Sequence, residues 1–184
     1  MYAAYTDDMG LCAVSCRRVA ALLTALVLNA PALAYTNPQY RFTATAPQNW
    51  KQINVPPGAA AMFVSPLSFG AFSPSINVLV RPLSVGTSDL MLNSYSAVTL
   101  EQIKKRIPDS KIISHTATML SGVPAWQLVY SGTQGQYKLL FTQVYALAAG
   151  RAYVLTGTTT QGRQVNAAPT AEFTAFVKTF NLKR

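Results

Sequence analysis

The sequence predicts an α+β fold in which an antiparallel β-sheet is sandwiched between helices. Four consecutive segments with strand-like patterns, 111–119, 125–131, 137–148 and 152–160, are separated only by short turn sequences. Short connections of this kind favour antiparallel hairpins. The third segment has apolar residues at both odd and even positions, which indicates a strand that is buried on both faces. Two segments with helical periodicity can provide the cover that such a strand requires.

Three earlier segments are predicted to be further strands. Residues 40–46 alternate between the two faces, 61–65 form a short apolar run, and 75–83 alternate again. A turn that contains a tryptophan follows the first of these strands, and an apolar loop at 66–74 follows the second. Turn signals are spread along the whole chain, so we expect one domain without an internal linker.

Two helices are predicted, one in the middle of the chain and one near its end. Ser88 can cap a helix that runs to about Ile107, because serine side chains accept hydrogen bonds from the first turn of a helix. Pro108 then ends this helix. Pro169 takes the favoured first position of the second helix, whose phenylalanines form one apolar stripe.

The first 34 residues are predicted to be a signal peptide. Arg17 and Arg18 precede an apolar run at 19–28, and Ala32-Leu33-Ala34 offers a small-x-small cleavage site. The apolar run is shorter than the roughly 20 residues of a permanent membrane anchor. We therefore expect cleavage after Ala34 and export by either the general or the twin-arginine route.

The predicted mature protein is a single domain, residues 35–184, in the periplasm or outside the cell. Both cysteines, Cys12 and Cys16, lie in the segment that is removed, so a structural disulfide is not expected. The removed segment carries two arginines and two aspartates, so the net charge stays at +9. Such a charge attracts anionic partners, and outside the cytoplasm these are envelope components rather than nucleic acid.

The residues that carry catalytic chemistry are scarce. His115 is the one histidine of the chain, whereas structural metal sites need several clustered ligands. A Ser-His-acid arrangement would have to use this histidine, and no G-x-S-x-G motif is present. No glycine-rich phosphate loop follows a strand. The sequence therefore predicts no enzyme, no metal and no cofactor, while a hydrolase that uses an unrecognised serine with His115 stays open as an alternative.

The densest group of charges lies at the end of the first predicted helix. It comprises Lys104, Lys105, Arg106 and Lys111, and we call it the basic patch. One interpretation is that cations in the last turn complement the helix dipole. The alternative is a docking site for an anionic surface, because apolar Leu100, Ile103 and Ile107 would face the sheet and leave the cations outside.

The order of the elements resembles that of PsbP-like domains. The residues that carry the resemblance are, in chain order, Tyr40, Phe42, Pro47 and Trp50, then the strand at 77–80, the helix at 100–105, the turn at 120–125, the strands at 143–145 and 152–156, and the terminal helix rich in phenylalanine. These features mark turns and the bounds of secondary-structure elements, and together they span nearly all of residues 40–182. The resemblance implies an α/β/α sandwich shared with photosystem proteins, Ran-binding proteins of the Mog family and small exported bacterial proteins.

Members of this fold are mostly non-enzymatic binding or assembly proteins, although a fold alone does not determine function. We therefore expect an exported, non-catalytic binding or assembly factor of the bacterial envelope, whose partner is an envelope protein or an anionic surface. No transmembrane segment is expected in the mature chain. Besides the hydrolase, a peripheral protein held on anionic membrane by the basic patch is the other alternative.

Overall fold

The computed structural model describes residues 34–55, 58–83, 89–162 and 167–183, which form ten strands and two helices. The predicted signal peptide lies outside the described residues, apart from Ala34 at the start of the first strand. The elements are β1 Ala34–Asn37, β2 Phe42–Thr45, β3 Lys51–Gln52, β4 Ala59–Val64, β5 Ser75–Pro82, α1 Asp89–Arg106, β6 Lys111–Leu120, β7 Val123–Gln134, β8 Tyr137–Ala148, β9 Arg151–Thr160, α2 Ala167–Thr179 and β10 Asn181–Leu182.

Seven of the strands form one antiparallel sheet in the order β3-β4-β5-β9-β8-β7-β6. Strands β6 to β9 make a meander, as the short turn sequences predict, and β5 joins it by pairing with β9 from Ser75↔Thr158 to Pro82↔Arg151. A second, three-stranded sheet has the order β1-β2-β10. The predicted antiparallel α+β fold is therefore confirmed, and the small second sheet is an addition to it.

Two turns of the meander need backbone conformations with positive φ. Ser121 and Gly122 have φ values of 52° and 77°, and Ala149 and Gly150 have 49° and 70°. Positive φ at both central residues matches the twist of the flanking strands. The predicted turn at 121–124 was too long, because Pro124 already pairs with Met119 inside the β6–β7 ladder.

The predicted turn at 132–135 was also misplaced, because β7 continues to Gln134. Gly132 lies within the strand, and the end of α1 packs directly onto it: a Cβ atom there would collide with the side chain of Ile107. Glycine inside a strand often marks such a close approach. The turn itself is made at Gly135, where φ is 60°.

The α2 face of the large sheet, the face on which α2 and the small sheet pack, is sealed. Gly157 on β9 lets α2 approach, since a Cβ atom there would lie only 2.6 Å from the ring of Phe173. The buried core on this side includes Phe42, Phe63, Ile76, Val78, Val144, Leu155, Phe173, Phe176 and Phe180. Its phenylalanine rings contact one another, with Phe42 and Phe180 stacked at a centroid distance of 4.9 Å.

The α1 face, on the opposite side, is covered by α1. Its buried core comprises Leu92, Ile103, Ile107, Leu128, Tyr130, Leu139, Phe141, Tyr145 and Val154. Strand β8 contributes Val144 and Ala146 to one core and Phe141 and Tyr145 to the other. The prediction that this strand is buried on both sides is confirmed.

Candidate functional site

A cleft of about 510 Å³ lies between α1 and the large sheet. Its wall is one side of α1, and its floor is the part of the sheet beside the helix. Successive side chains of β5 point to opposite faces of the sheet, so residues two apart share a face. This alternation decides which β5 residues belong to the floor. The even-numbered Ile76, Val78 and Val80 point into the sealed core, and the odd-numbered residues of the strand, Ser75 to Arg81, line the cleft.

The floor is arranged in rows that run across the strands. Asn77 pairs with Thr156, which in turn pairs with Gln143, and these three polar residues form the central row. On one side of it, Leu79 pairs with Val154 in an apolar row. On the other side, Ser75, Thr158, Phe141 and Tyr130 follow one another through the same ladders. The polar central row thus has an apolar row on one side. The row on the other side is polar at Ser75 and Thr158 and aromatic at Phe141 and Tyr130.

The amides of the central row are incompletely bonded. Gln143 Nε2 donates to Thr156 Oγ1 over 3.1 Å. Gln143 Oε1 and Asn77 Oδ1 are covered by neighbouring atoms and have no hydrogen-bond partner. A buried acceptor without a donor carries a desolvation penalty, so both side chains would gain from a ligand that brings a donor.

The two arginines of the cleft lie at opposite ends of it. Arg81, near the end of β5, is close enough to Tyr95 for its charge to lower the pKa of that phenol, against a larger rise from burial. Arg106 belongs to the last turn of α1, about 16 Å further along the helix axis than Tyr95. No acidic side chain lines the cleft among the residues described around it. The cleft is therefore positively charged at both ends.

All four residues of the basic patch are exposed, and Ile103 and Ile107 beside them are buried against the sheet. Arg106 differs from the other three because it also lines the cleft. Close by, Asp109 accepts hydrogen bonds from the backbone and hydroxyl of Thr133, and these bonds lower the pKa of its carboxyl group.

His115 lies in a hydrogen-bonded trio. Its Nε2 is 3.0 Å from Ser96 Oγ and 3.1 Å from the hydroxyl of Tyr145, and those two oxygens are 2.7 Å apart. The imidazole also packs on the ring of Trp126 at a centroid distance of 4.3 Å. Trp126 Nε1 in turn donates to Asn93 Oδ1 of α1. These contacts tie α1 to β6, β7 and β8.

The trio supplies the serine that the hydrolase interpretation lacked, but in an unsuitable position. Ser96 is only 3% exposed and Tyr145 is fully buried, whereas a nucleophile must be reached by its substrate. Burial lowers the pKa of His115 and raises that of Tyr145, which favours the neutral form of each group. A half-buried imidazole that is neutral and bonded to a buried serine and a buried tyrosine is typical of a structural network.

Within the described part of the chain, no three histidine, cysteine, aspartate or glutamate side chains come together as metal ligands would. None of the helices in that part is both long and apolar enough to span a bilayer. The cleft is much larger than the cavity of about 10 Å³ that is lined by Trp50, Pro169 and Phe173 on the α2 face.

Sequence reasoning missed the cleft because its floor joins β5 to strands of the meander that lie far from it in the chain. A signal was nevertheless present in β5. Asn77 interrupts a strand whose neighbours Ile76 and Val78 are apolar, and its face also carries Arg81. Polar residues on one face of a central strand indicate that something other than an apolar core covers that face.

Comparison with solved structures shows the fold. Cyanobacterial PsbP (CyanoP) from Synechocystis superposes with a TM-score of 0.61 at 13% identity, covering 87% of this chain and 98% of that one. LpqN of Mycobacterium tuberculosis, described as involved in cell envelope biogenesis, gives 0.59 at 14% identity, with 85% and 88% covered. The Saccharomyces cerevisiae Ran-binding protein Mog1p gives 0.54 at 11% identity, with 82% and 94% covered.

No protein-family model matches the chain, and no curated protein matches it by sequence. The structural matches confirm the resemblance drawn from the sequence: the chain has the PsbP-like fold. At these identities the likeness is one of fold.

Proposed function

We propose that this protein is an exported, non-catalytic binding or assembly factor of the bacterial envelope, and that its partner binds in the cleft between α1 and the sheet. The observation that carries the proposal is the contrast between that cleft and the sealed opposite face. Apolar pockets with a few convergent polar groups are the usual places where proteins bind ligands. In this cleft the convergent polar groups include the amides of the central row and the two terminal arginines.

The fold neighbours support a binding role without defining the partner. Mog1p is a Ran-binding protein and LpqN is involved in cell envelope biogenesis. For this chain, the sequence features that favour the envelope are the predicted signal peptide and the net charge of +9. An absence of catalysis is supported by the placement of His115, which lies in a network whose serine is buried.

Site-specific photo-crosslinking in bacteria that express the full chain tests the proposal. A benzophenone amino acid replaces Val98, which lines the cleft wall and is 51% exposed. The matched control position is Ala175, an exposed residue of α2 on the other side of the sheet. We expect an adduct with an envelope component from position 98 and none from position 175. The processed protein should begin at Tyr35 and fractionate with the periplasm or medium.

Four outcomes would contradict the proposal. Equal labelling from both positions, or none from either, would remove the cleft as the binding site. Recovery only with membranes at low salt, with release at high salt, would support the basic patch and the peripheral membrane alternative. Loss of a measured hydrolytic activity in His115→Ala, with an unchanged melting curve, would restore the hydrolase alternative.

A further inference from the structure

We propose that the cleft binds an extended segment of a partner protein, with acidic side chains near both ends of that segment. The inference rests on the proposed function, because it names the class of partner that the cleft would take. Three properties of the cleft lead to it: its length, the unpaired amide oxygens on its floor and the charges at its ends.

The length of the cleft fits a short extended peptide. Its floor follows β5 from Ser75 to Arg81, a distance of roughly 20 Å at about 3.3 Å per residue. A bound chain in the same extended conformation would place about six residues over this floor. Both β5 and α1 run along the cleft, so such a segment would lie between them and parallel to the strand axis.

The central row offers acceptors on both sides of this path. Asn77 and Gln143 flank Thr156 on the neighbouring strands. Each therefore lies about 4.8 Å to one side of the line that runs along β9 over Thr156. An extended peptide presents N–H groups alternately at its two edges. The amide oxygens are covered in the empty cleft, but the last torsion of Asn and Gln is broad. Rotation would turn them toward these donors, and at Gln143 the new bond would replace the one that Nε2 donates to Thr156 Oγ1.

This arrangement distinguishes a peptide from a simple lipid. An alkyl chain carries no donor, and a fatty acid in the cleft would leave both amide oxygens without a partner. A peptide satisfies them through its backbone and can place apolar side chains against Leu79 and Val154 on the floor, or against Val98 and Ile103 on the wall. The backbone thus supplies affinity and the side chains supply selectivity.

The ends of the cleft select for acidic residues. Arg81 and Arg106 are both exposed and can form paired hydrogen bonds with a carboxylate. No acidic side chain stands beside them in the described lining, and the net charge of +9 adds attraction at long range. Because the arginines lie at opposite ends of the cleft, each should bind an acidic side chain at a different end of the segment.

A positional library of capped, fluorescent hexapeptides tests this with the purified protein and fluorescence anisotropy. We expect wild type to prefer Asp or Glu over Asn or Gln at both the outer positions. Arg81→Gln should remove the preference at one end, and Arg106→Gln at the other, with affinity for the doubly acidic peptides falling about tenfold in each case. Lys178→Gln, an exposed cation of α2, is the matched control and should keep both preferences.

Several results would overturn the inference. One is a library without acidic preference, and another is an equal loss in Lys178→Gln, which would reflect net charge alone. Equal competition by an acidic oligosaccharide such as tetragalacturonate would replace the peptide with a sugar acid. If Val98 still yields a crosslinked adduct while the peptides show no acidic preference, cleft binding stands and only the acidic segment is lost. Melting curves of the arginine variants confirm that they are folded.

Discussion

The two faces of the large sheet use the same strands in different ways. On the α2 face, Phe173, Phe176 and Phe180 close the core together with the small sheet. On the α1 face, the helix packs over β7 and β8 and leaves a cleft beside β5 and β9. The comparison shows that packed aromatic rings close one face, while the other keeps polar groups on the floor of a cleft, where we propose that the partner binds.

The difference follows from the alternation of single strands. In β5, the residues on the sealed side are Ile76, Val78 and Val80, all buried. The residues on the opposite side of the strand include Asn77 and Arg81, which could not enter an apolar core without a large penalty. If this comparison is correct, substitutions on the α2 face should affect stability, and those in the cleft should mainly affect binding.

The largest effect is expected from Phe176→Ala. Phe176 is 1% exposed and contacts the rings of Phe63 and Phe180. Its truncation should leave a cavity and lower the free energy of unfolding by about 3–5 kcal/mol. Urea denaturation measures this, with Val98→Ala on the exposed cleft wall as a control that should change stability by less than about 0.5 kcal/mol. A loss below about 1 kcal/mol for Phe176→Ala would mean that α2 does not seal this face.

A smaller effect is expected from the titration of His115. Burial holds its pKa below the usual 6.5, so the unfolded chain binds the proton first. The contribution of the neutral imidazole to the free energy of unfolding is complete above about pH 6.5 and is lost as the pH falls through the folded pKa. Asp109, whose pKa is lowered from 3.8, loses its contribution only in stronger acid.

Melting curves between pH 7 and 5 provide the measurement. The melting temperature of wild type should decrease as the pH falls from 7 to 5. His115→Gln should show a flatter profile, because the variant has no imidazole whose pKa burial can lower. Parallel profiles for the two proteins would show that the trio does not depend on a neutral imidazole.

Apart from the Val98→Ala control, the smallest effect on stability is expected from Asn77→Leu. The two side chains are similar in size, and the change removes an amide oxygen that has no partner. Stability should therefore stay within about 1 kcal/mol of wild type or rise slightly, while crosslinking from Val98 should weaken. A larger loss of stability would mean that the amide holds the floor together and would remove its role in binding.

Most of the fold could be predicted because its signals are local. The apolar residues on both faces of β8, the helix that ends before Pro108 and the hairpin turns at Gly122 and Gly150 each lie within a few neighbouring residues. The strands β1, β3 and β10 were missed because segments of two to four residues are too short to show a period. They form through pairing with partners elsewhere in the chain.

The cleft could not be predicted in the same way. Asn77, Thr156 and Gln143 become neighbours only because β5 pairs with β9, and nothing in the local sequence specifies that pairing. The basic patch was visible as a run of charge, but the separate position of Arg106 at the end of the cleft depends on where α1 lies on the sheet.

The pairing of β5 with β9 also bears on the order in which the domain folds. Strands β6 to β9 follow one another through tight turns, so the entropy lost in closing each hairpin is small. Strand β5 must instead find Arg151 and its neighbours across α1 and three intervening strands, and non-local pairings of this kind are slow. The meander is thus expected to form first. During synthesis the amino-terminal part of the chain appears first, so β5 has no pairing partner until the last third of the chain has been made. The binding cleft, whose floor spans this late junction, is completed only when the whole domain has assembled.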